Sequence, residues 1–426
     1  MIGIIIFIAA LVLLFFGYYV AYTFAGVSLL VGFLFLGQDL FAFMPYRIMA
    51  IMENTVMMAI PMFIFMGIIL QRSGLAERLL ESMGKLFGGI SGGIAISTIL
   101  VGTFLAASTG VVGASVVAMG VISLPVMLKH NYDPRLATGT ICASGTLGQI
   151  VPPSIVLIIL GDVMGISVGD LFKAAVVPSL MLVAAYTLYI IFIAKMQPER
   201  CPAIVIEEDR GVILKQALKD IAPTLLLIIA VLGSIFKGIA TPTESAALGA
   251  VGAVVLSIVF GSFSPTKLMD ASLEAVKVTS MVFAVLLGAT AFSMVFSYGG
   301  GEELIEAFFL SIPGEKWAFI LIAMLAIMIL GFFIDFIEIA FIVVPLLAPI
   351  AQLMGIDMVW FAILIAMNLQ TSFLTPPFGF SLFYLKGVAG DSVKTTTIYR
   401  GVVPFIMLQL LVLLLIVCFP NIFLFY

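Results

Sequence analysis

The sequence predicts an all-α polytopic membrane protein built as two inverted repeats with helical hairpins and broken helices, and three observations predict it. Hydrophobic residue types make up 63% of 426 residues, charged types only 10%, and mean hydropathy is +1.29. A soluble core cannot absorb that much apolar surface. Uncharged runs of 43 residues (86–128) and 28 residues (358–385) are too long for one crossing and are interrupted by glycine, proline and hydroxyl residues. The two Pro-Pro interruptions, Pro152-Pro153 and Pro376-Pro377, lie 224 residues apart.

A bilayer-spanning helix needs roughly 20 apolar residues. Residues 1–38 carry no Lys or Arg and are divided by Gly17-Tyr18-Tyr19, which predicts two passes, or one pass and an interfacial helix. The first basic residue is Arg47, so the start lacks the basic segment of a signal peptide and reads as a retained span with an external N-terminus. A further helix is expected over 48–70, with Pro61 inside it, followed by a solvated charged segment, 71–85. As one helix, 86–128 would measure about 65 Å at ~1.5 Å per residue, twice the ~30 Å hydrocarbon core. It must turn back, and Ser108-Thr109-Gly110 with Gly113-Ala114-Ser115 is where.

After a polar loop at 129–135 the run 136–161 is broken by Ser144-Gly145-Thr146-Leu147-Gly148-Gln149-Ile150-Val151-Pro152-Pro153-Ser154, a proline and glycine density no helix continues through. One span follows at 171–194. The stretch 195–220 contains Lys195, Arg200, Arg210, Lys215 and Lys219, which places it in the cytoplasm as a linker between halves. Spans are expected near 222–236, 244–260, 278–296, 317–334 and 339–354. The run 358–385 is then broken by Asn368-Leu369-Gln370-Thr371-Ser372-Phe373-Leu374-Thr375-Pro376-Pro377-Phe378-Gly379, and 402–419 is the last span. The division is therefore a first repeat at 1–194, a linker at 195–220 and a second, inverted repeat at 221–426.

The 224-residue offset also pairs Pro125 with Pro349 and Asp133 with Asp357, and Pro178 pairs with Pro404 after small insertions. Irregular backbone at membrane depth leaves N–H and C=O groups that lipid cannot satisfy, so it survives where protein, water, ion or solute completes it. Paired interruptions of this kind point to the binding site of a secondary transporter, near the midplane where the two Pro-Pro motifs meet. The oxygens around Gly145, Thr146, Gly148, Thr371, Ser372 and Thr375 suit a hard cation such as sodium; the same residue types also favour close helix packing.

Asp335 and Glu338 lie one turn apart on an apolar stretch, so they either face an interior cavity or straddle the interface. Glu244 in Thr241-Pro242-Thr243-Glu244 reads as a helix-start signal. Cys142, Cys201 and Cys418 are scattered and His130 is the single histidine, so neither zinc nor structural disulfides are expected. A net charge of −4 without a charged tail gives no sign of nucleic-acid binding. Gly89-Ile90-Ser91-Gly92 matches the short motif of intramembrane serine proteases, and an intramembrane hydrolase using Ser91 and His130 is the alternative of a different class. Ser297-Tyr298-Gly299-Gly300 is no potassium-channel filter.

Nearly the whole chain resembles the large membrane subunit of tripartite ATP-independent periplasmic (TRAP) transporters. The resemblance rests on Thr241-Pro242-Thr243-Glu244, Gly145-Thr146-Leu147-Gly148 leading to Pro152-Pro153-Ser154, Gly331-Phe332-Phe333-Ile334-Asp335, and Asn368-Leu369 leading to Thr375-Pro376-Pro377-Phe378-Gly379. It implies no enzyme but a sodium-driven elevator in the bacterial inner membrane, with sodium as coupling ion and no other cofactor. It further implies a separate small membrane subunit of four helices and a periplasmic solute-binding protein that delivers a small organic acid. By position, Ser108, Thr109 and Gly110 would lie at the first hairpin tip and Gly145, Thr146, Gly148, Pro152 and Pro153 in the first unwound segment. Asp335 would lie near the second hairpin, and Asn368, Thr371, Ser372, Thr375, Pro376, Pro377 and Gly379 in the second unwound segment. Many members carry a Ser-Gly-Ser-Ser tip where this chain has Ala107-Ser108-Thr109-Gly110-Val111. The variant is similar to a branch labelled for mannitol or chloroaromatic compounds, a label that names no substrate.

Overall fold

The computed structural model describes residues 2–204 and 209–423, and the described residues form helices and turns without a strand. Seven of the described helices are long and apolar enough to cross a membrane, and shorter apolar helices lie between them. The chain opens with α1 (Ile2–Phe15) and α2 (Val20–Leu36), separated at Gly17, whose φ of +86° is the left-handed region. A 3-10 turn leads to α3 (Met44–Met52), and the single helix expected over 48–70 is in fact two. Asn54 breaks it: its Oδ1 accepts from the N–H of Val56 at 2.9 Å and of Met57 at 3.4 Å, a local alternative to the helical ladder. Pro61 then falls in the first turn of α4 (Ala59–Arg72), where its missing donor costs nothing.

The segment 71–85, expected to be solvated throughout, is mostly α5 (Leu75–Gly88), bent 59° from α4. Its charges face outward, but Leu75, Ala76, Leu79, Leu80 and Met83 form a buried stripe at helical spacing. The 43-residue run does turn back: α6 (Gly93–Thr109) and α7 (Val112–Lys129) form a hairpin about Gly110, φ +60°. Asp133 caps α8 (Pro134–Thr146), which unwinds through a 3-10 turn at Leu147–Gln149 and a bend at 151–153 before α9 (Ile155–Val163) and α10 (Val168–Met196). The expected linker is only partly a loop, because α11 (Arg210–Phe236) begins inside it, capped by Asp209; residues 205–208 of the linker lie outside the described residues.

In the second half α12 (Pro242–Val259) starts with the expected device, a reciprocal capping box between Thr241 and Glu244. The span expected at 278–296 belongs to a 34-residue α13 (Pro265–Tyr298), and an unforeseen amphipathic α14 (Gly301–Ser311) follows. The second hairpin is α15 (Glu315–Leu330), a turn at 331–335, and a continuous arm of α16 (Phe336–Glu338), a π turn (Ile339–Val343) and α17 (Val344–Leu353). Its break comes at Gly331, earlier than the expected span end at 334. Asp357 caps α18 (Met358–Leu374); a bend at 375–379 leads to α19 (Phe380–Ala389), then α20 (Thr395–Cys418) and α21 (Pro420–Phe423).

The order hairpin, broken helix, closing helix is thus written twice, and the fold is one of two inverted repeats. The residues paired by sequence offset hold equivalent posts: Asp133 and Asp357 are N-caps, Pro125 and Pro349 lie inside second hairpin arms, and Pro178 and Pro404 lie inside α10 and α20. One group of helices packs α4 on α12 and α13, α13 on α2, and α5 and α12 on α11. The other joins the repeats, with α8 on α20 and α18 on α10 and α20. At the α8–α20 crossing a Cβ on Gly139 would strike the Gly401 carbonyl, and one on Gly401 the Arg135 carbonyl, so only glycine allows the two backbones to meet.

Candidate functional site

Each broken helix is held by the hairpin of its own repeat. Gly110 at the first tip touches the start of α9: a Cβ there would stand 2.9 Å from Ile155 Cγ1 and 3.4 Å from the Ile155 nitrogen. Gly148 faces Ala106 of α6, where a Cβ would stand 3.3 Å from the Ala106 carbonyl oxygen, and Gly145 packs on Val116 of α7. The second repeat makes the same contact with the glycine on the other partner. Gly331 lies against Ser372, where a Cβ would stand 2.8 Å from the serine Cβ. Ser372 is the offset partner of Gly148, and Gly331 sits one residue from the partner of Ala106.

The interrupted backbone is completed by side chains. Ser154 Oγ donates to the Gln149 carbonyl at 2.7 Å, and Ser179 Oγ of α10 donates to the Ile150 carbonyl at 3.0 Å. In the second break Ser381 Oγ donates to the Phe373 carbonyl at 2.7 Å, and Tyr399 Oη to the Pro377 carbonyl at 2.9 Å. Both Pro-Pro bonds are cis. The two broken helices pack on each other, with α18 on the 147–149 turn and on α9. They differ in exposure: Pro152 and Pro153 are buried, Pro376 is half-buried, and Pro377 and Phe378 are exposed.

The described hydroxyls among those proposed from sequence donate to carbonyls of their own helices: Ser108 to Leu105 at 2.8 Å, Thr146 to Ala143 at 2.9 Å, Thr371 to Met367 at 2.9 Å, Ser372 to Leu369 at 2.7 Å and Thr375 to Thr371 at 2.7 Å. Their protons are engaged, which leaves lone pairs to face a cation or a solute donor. The Thr109 side chain lies outside the described residues. Asn368 has a bracing role, its Nδ2 donating to the Met324 carbonyl of α15 at 2.6 Å. Gly379 allows the backbone to fold back, since a Cβ would stand 2.6 Å from the Phe373 carbonyl oxygen.

Asp335 is half-buried at the second hairpin tip, where Oδ1 accepts from the Phe336 N–H at 2.7 Å. Glu338 is 7% exposed and its Oε2 has no hydrogen-bond partner, so the interface-solvated reading does not hold for it. Three amides escaped the sequence reading. Gln149, Gln370 and Gln409 are buried with both side-chain polar atoms unpartnered, and the Tyr186 phenol lies against the last two. A signal was present, because Gln149 and Gln370 stand inside the two interruptions.

The hydrolase residues are not assembled. Ser91 lies in the turn before α6 and His130 caps the end of α7; no hydrogen bond joins them among the described residues. The polar loop near His130 is instead a structural joint. Arg200 Nη2 pairs with Asp133 at 2.6 Å, and Tyr132, which accepts from the Ile94 N–H at 3.2 Å, is pushed up to about 12 by burial and stays a neutral phenol.

A profile of the family described as "Tripartite ATP-independent periplasmic transporter, DctM component" matches residues 7–422. The C4-dicarboxylate TRAP transporter large permease protein DctM of Pseudomonas aeruginosa is 31% identical over 373 residues, covering 87% of this chain and 86% of that one. The sialic acid TRAP transporter large permease protein SiaM of Vibrio cholerae is 29% identical, covering 87% and 85%. The isethionate TRAP transporter permease protein DctMQ of Oleidesulfovibrio alaskensis is 31% identical over 87% of this chain, which spans 58% of that longer protein. Among solved structures, the YdaH transporter of Alcanivorax borkumensis shares the fold, with a TM-score of 0.59 at 13% identity, covering 87% of this chain and 85% of that one. A profile spanning nearly every residue and relatives at this identity agree with the paired hairpins and broken helices: the chain belongs to the DctM component family of tripartite ATP-independent periplasmic transporters.

Proposed function

We propose that this permease imports a small organic acid across the bacterial inner membrane, driven by sodium. The acid is handed over by a periplasmic solute-binding protein, and a small membrane subunit of four helices completes the membrane unit. The single observation that carries the reading is the meeting of two broken helices, each steadied by its own hairpin. Two further features support it. Helices α9 and α19 begin inside the breaks, at Ser154 and Gly379, without a side-chain cap, so their N–H ends favour an anion. The relatives named above are named for C4-dicarboxylates, sialic acid and isethionate, all organic anions.

In this reading sodium binds oxygens near Gly145 and Thr146 in the first break and Thr371, Ser372 and Thr375 in the second, while Asp335 places negative charge beside the ion or solute path. The 1–194 and 221–426 halves each contribute a hairpin and a broken helix to a mobile unit. That unit slides as an elevator against a scaffold of α1, α2, α4, α5, α11, α12 and α13. The test is uptake into proteoliposomes holding this chain and its small subunit, with the binding protein outside, loaded with the acid it retains on purification. Accumulation that follows an inward sodium gradient supports the reading; accumulation indifferent to sodium removes the coupling, and none with any retained acid removes the import.

A further inference from the structure

Asp162 stands in the last turn of α9, half-buried, where a carboxylate opposes the negative end of the helix dipole. Among the described residues no Lys or Arg pairs with it. Its partner is Asn54, whose Nδ2 donates to Asp162 Oδ1 at 2.5 Å. The Asn54 amide is held in that orientation, because its Oδ1 accepts from the Val56 and Met57 N–H groups ahead of α4 and leaves the NH2 to face α9. The turn that carries Asn54 is tied to α12, where Thr243 Oγ1 donates to the Thr55 carbonyl at 2.7 Å. Asn54 therefore belongs with α4 and α12 in one group of helices, and Asp162 with the first broken helix in the other. Beside the bond the two groups part around a cavity of about 450 Å³, with Gly161, Gly165 and Gly169 on one wall and Val56, Ala240 and Pro242 on the other. The seam lies a full span away from the 195–220 linker, because α10 and α11, of 29 and 27 residues, each join it to that stretch. In the proposed function this is the periplasmic face.

We propose that the Asn54–Asp162 hydrogen bond is a latch, which holds the two groups of helices in the arrangement of this structure and opens when one slides against the other. A neutral amide holds a carboxylate less tightly than a lysine or arginine would. The adjoining cavity gives water access to Asp162 once the bond opens, so the carboxylate is rehydrated rather than stranded in an apolar seam. Both features suit a contact that is made and broken repeatedly. The latch rests on the sliding motion of the proposed function and adds to it the contact that sets the balance between two arrangements. That balance is measured without uptake.

The experiment uses the complete chain with its small subunit in lipid nanodiscs and reads electron-spin distances between two labelled cysteines. The labels sit at Lys237→Cys, just after α11, and Gln352→Cys, in the last turn of α17, both exposed, with Cys418→Ser removing the exposed native thiol. In this parent the distance of the present structure dominates. Asn54→Asp keeps an acceptor for the Val56 and Met57 N–H groups but turns a like charge toward Asp162, so a second distance is expected to gain about tenfold relative to the first. The double variant Asn54→Asp, Asp162→Asn puts the donor on α9 and the acceptor on the turn, and should restore the parent distribution, which a merely structural loss would not. Should Asn54→Asp fail to assemble, Asp162→Ala, which leaves the cap untouched, should show the same shift. Two distances whose ratio the single variants leave unchanged, or a shift that the double variant fails to reverse, overturn the latch and leave the sliding motion standing. A single distance in parent and variants alike overturns both.

Discussion

In the proposed function Asp335 combines two roles that a substitution can separate. As N-cap of α16 it needs only a side-chain oxygen for the Phe336 N–H, which asparagine also supplies. As a charge near the solute path it needs the carboxylate, whose placement at a helix centre costs about 2.5 to 3.5 kcal/mol on insertion scales. Asp335→Asn is therefore expected to insert and assemble with its partner, to change thermal stability by no more than about 1 kcal/mol, and to abolish uptake or alter its sodium dependence. Wild-type uptake at every sodium concentration, with normal expression, would reduce Asp335 to a helix cap. Gln149 gives the opposite test. Both of its polar atoms are buried and unpartnered, so Gln149→Leu should leave stability unchanged or raise it by about 1–3 kcal/mol in thermal unfolding. A loss of that size would show that the amide has a partner in the membrane. The sequence paired Glu338 with Asp335 but left it between an interior cavity and the interface, and it did not single out Gln149, because burial of one polar residue among apolar ones is decided by helices distant in sequence.

Elements were legible where the cause of a break is local. Proline and glycine cannot continue a helix, so Gly110, Pro152-Pro153 and Pro376-Pro377 announced the hairpin tip and both unwound segments before any packing was known. Breaks made by side-chain hydrogen bonds were not legible. Asn54 divides α3 from α4 through bonds of 2.9 and 3.4 Å that an asparagine in a helix interior need not make. The charged faces of α5 and α14 likewise hid their helical spacing. Crossings belong to this scale too. Gly401→Leu should force α8 and α20 apart at the Arg135 carbonyl and destabilise the detergent-solubilised protein by about 1–3 kcal/mol. Gly387→Leu, with open space around its Cβ position, should cost no more than about 1 kcal/mol. Equal effects at the two positions would contradict the close approach.

At the scale of the whole molecule, the repeat was legible because equivalent posts keep equivalent residues, as Asp133 and Asp357 do at two helix starts. What the two groups of helices do relative to each other belongs to the proposed elevator. In the proposed function the permease works only together with its small membrane subunit and its solute-binding protein. Reconstituted alone it should show no sodium-driven accumulation; robust uptake by the isolated chain would contradict the dependence. The most direct test of the central claim is the initial rate of uptake of the binding protein's own acid into proteoliposomes holding the complete system, with sodium outside, on both sides, or replaced by potassium. The account predicts accumulation with sodium outside only, and its loss in a Thr371→Val, Ser372→Ala double variant that keeps wild-type thermal stability. Accumulation that persists with potassium in place of sodium, or that the double variant leaves intact, would contradict it.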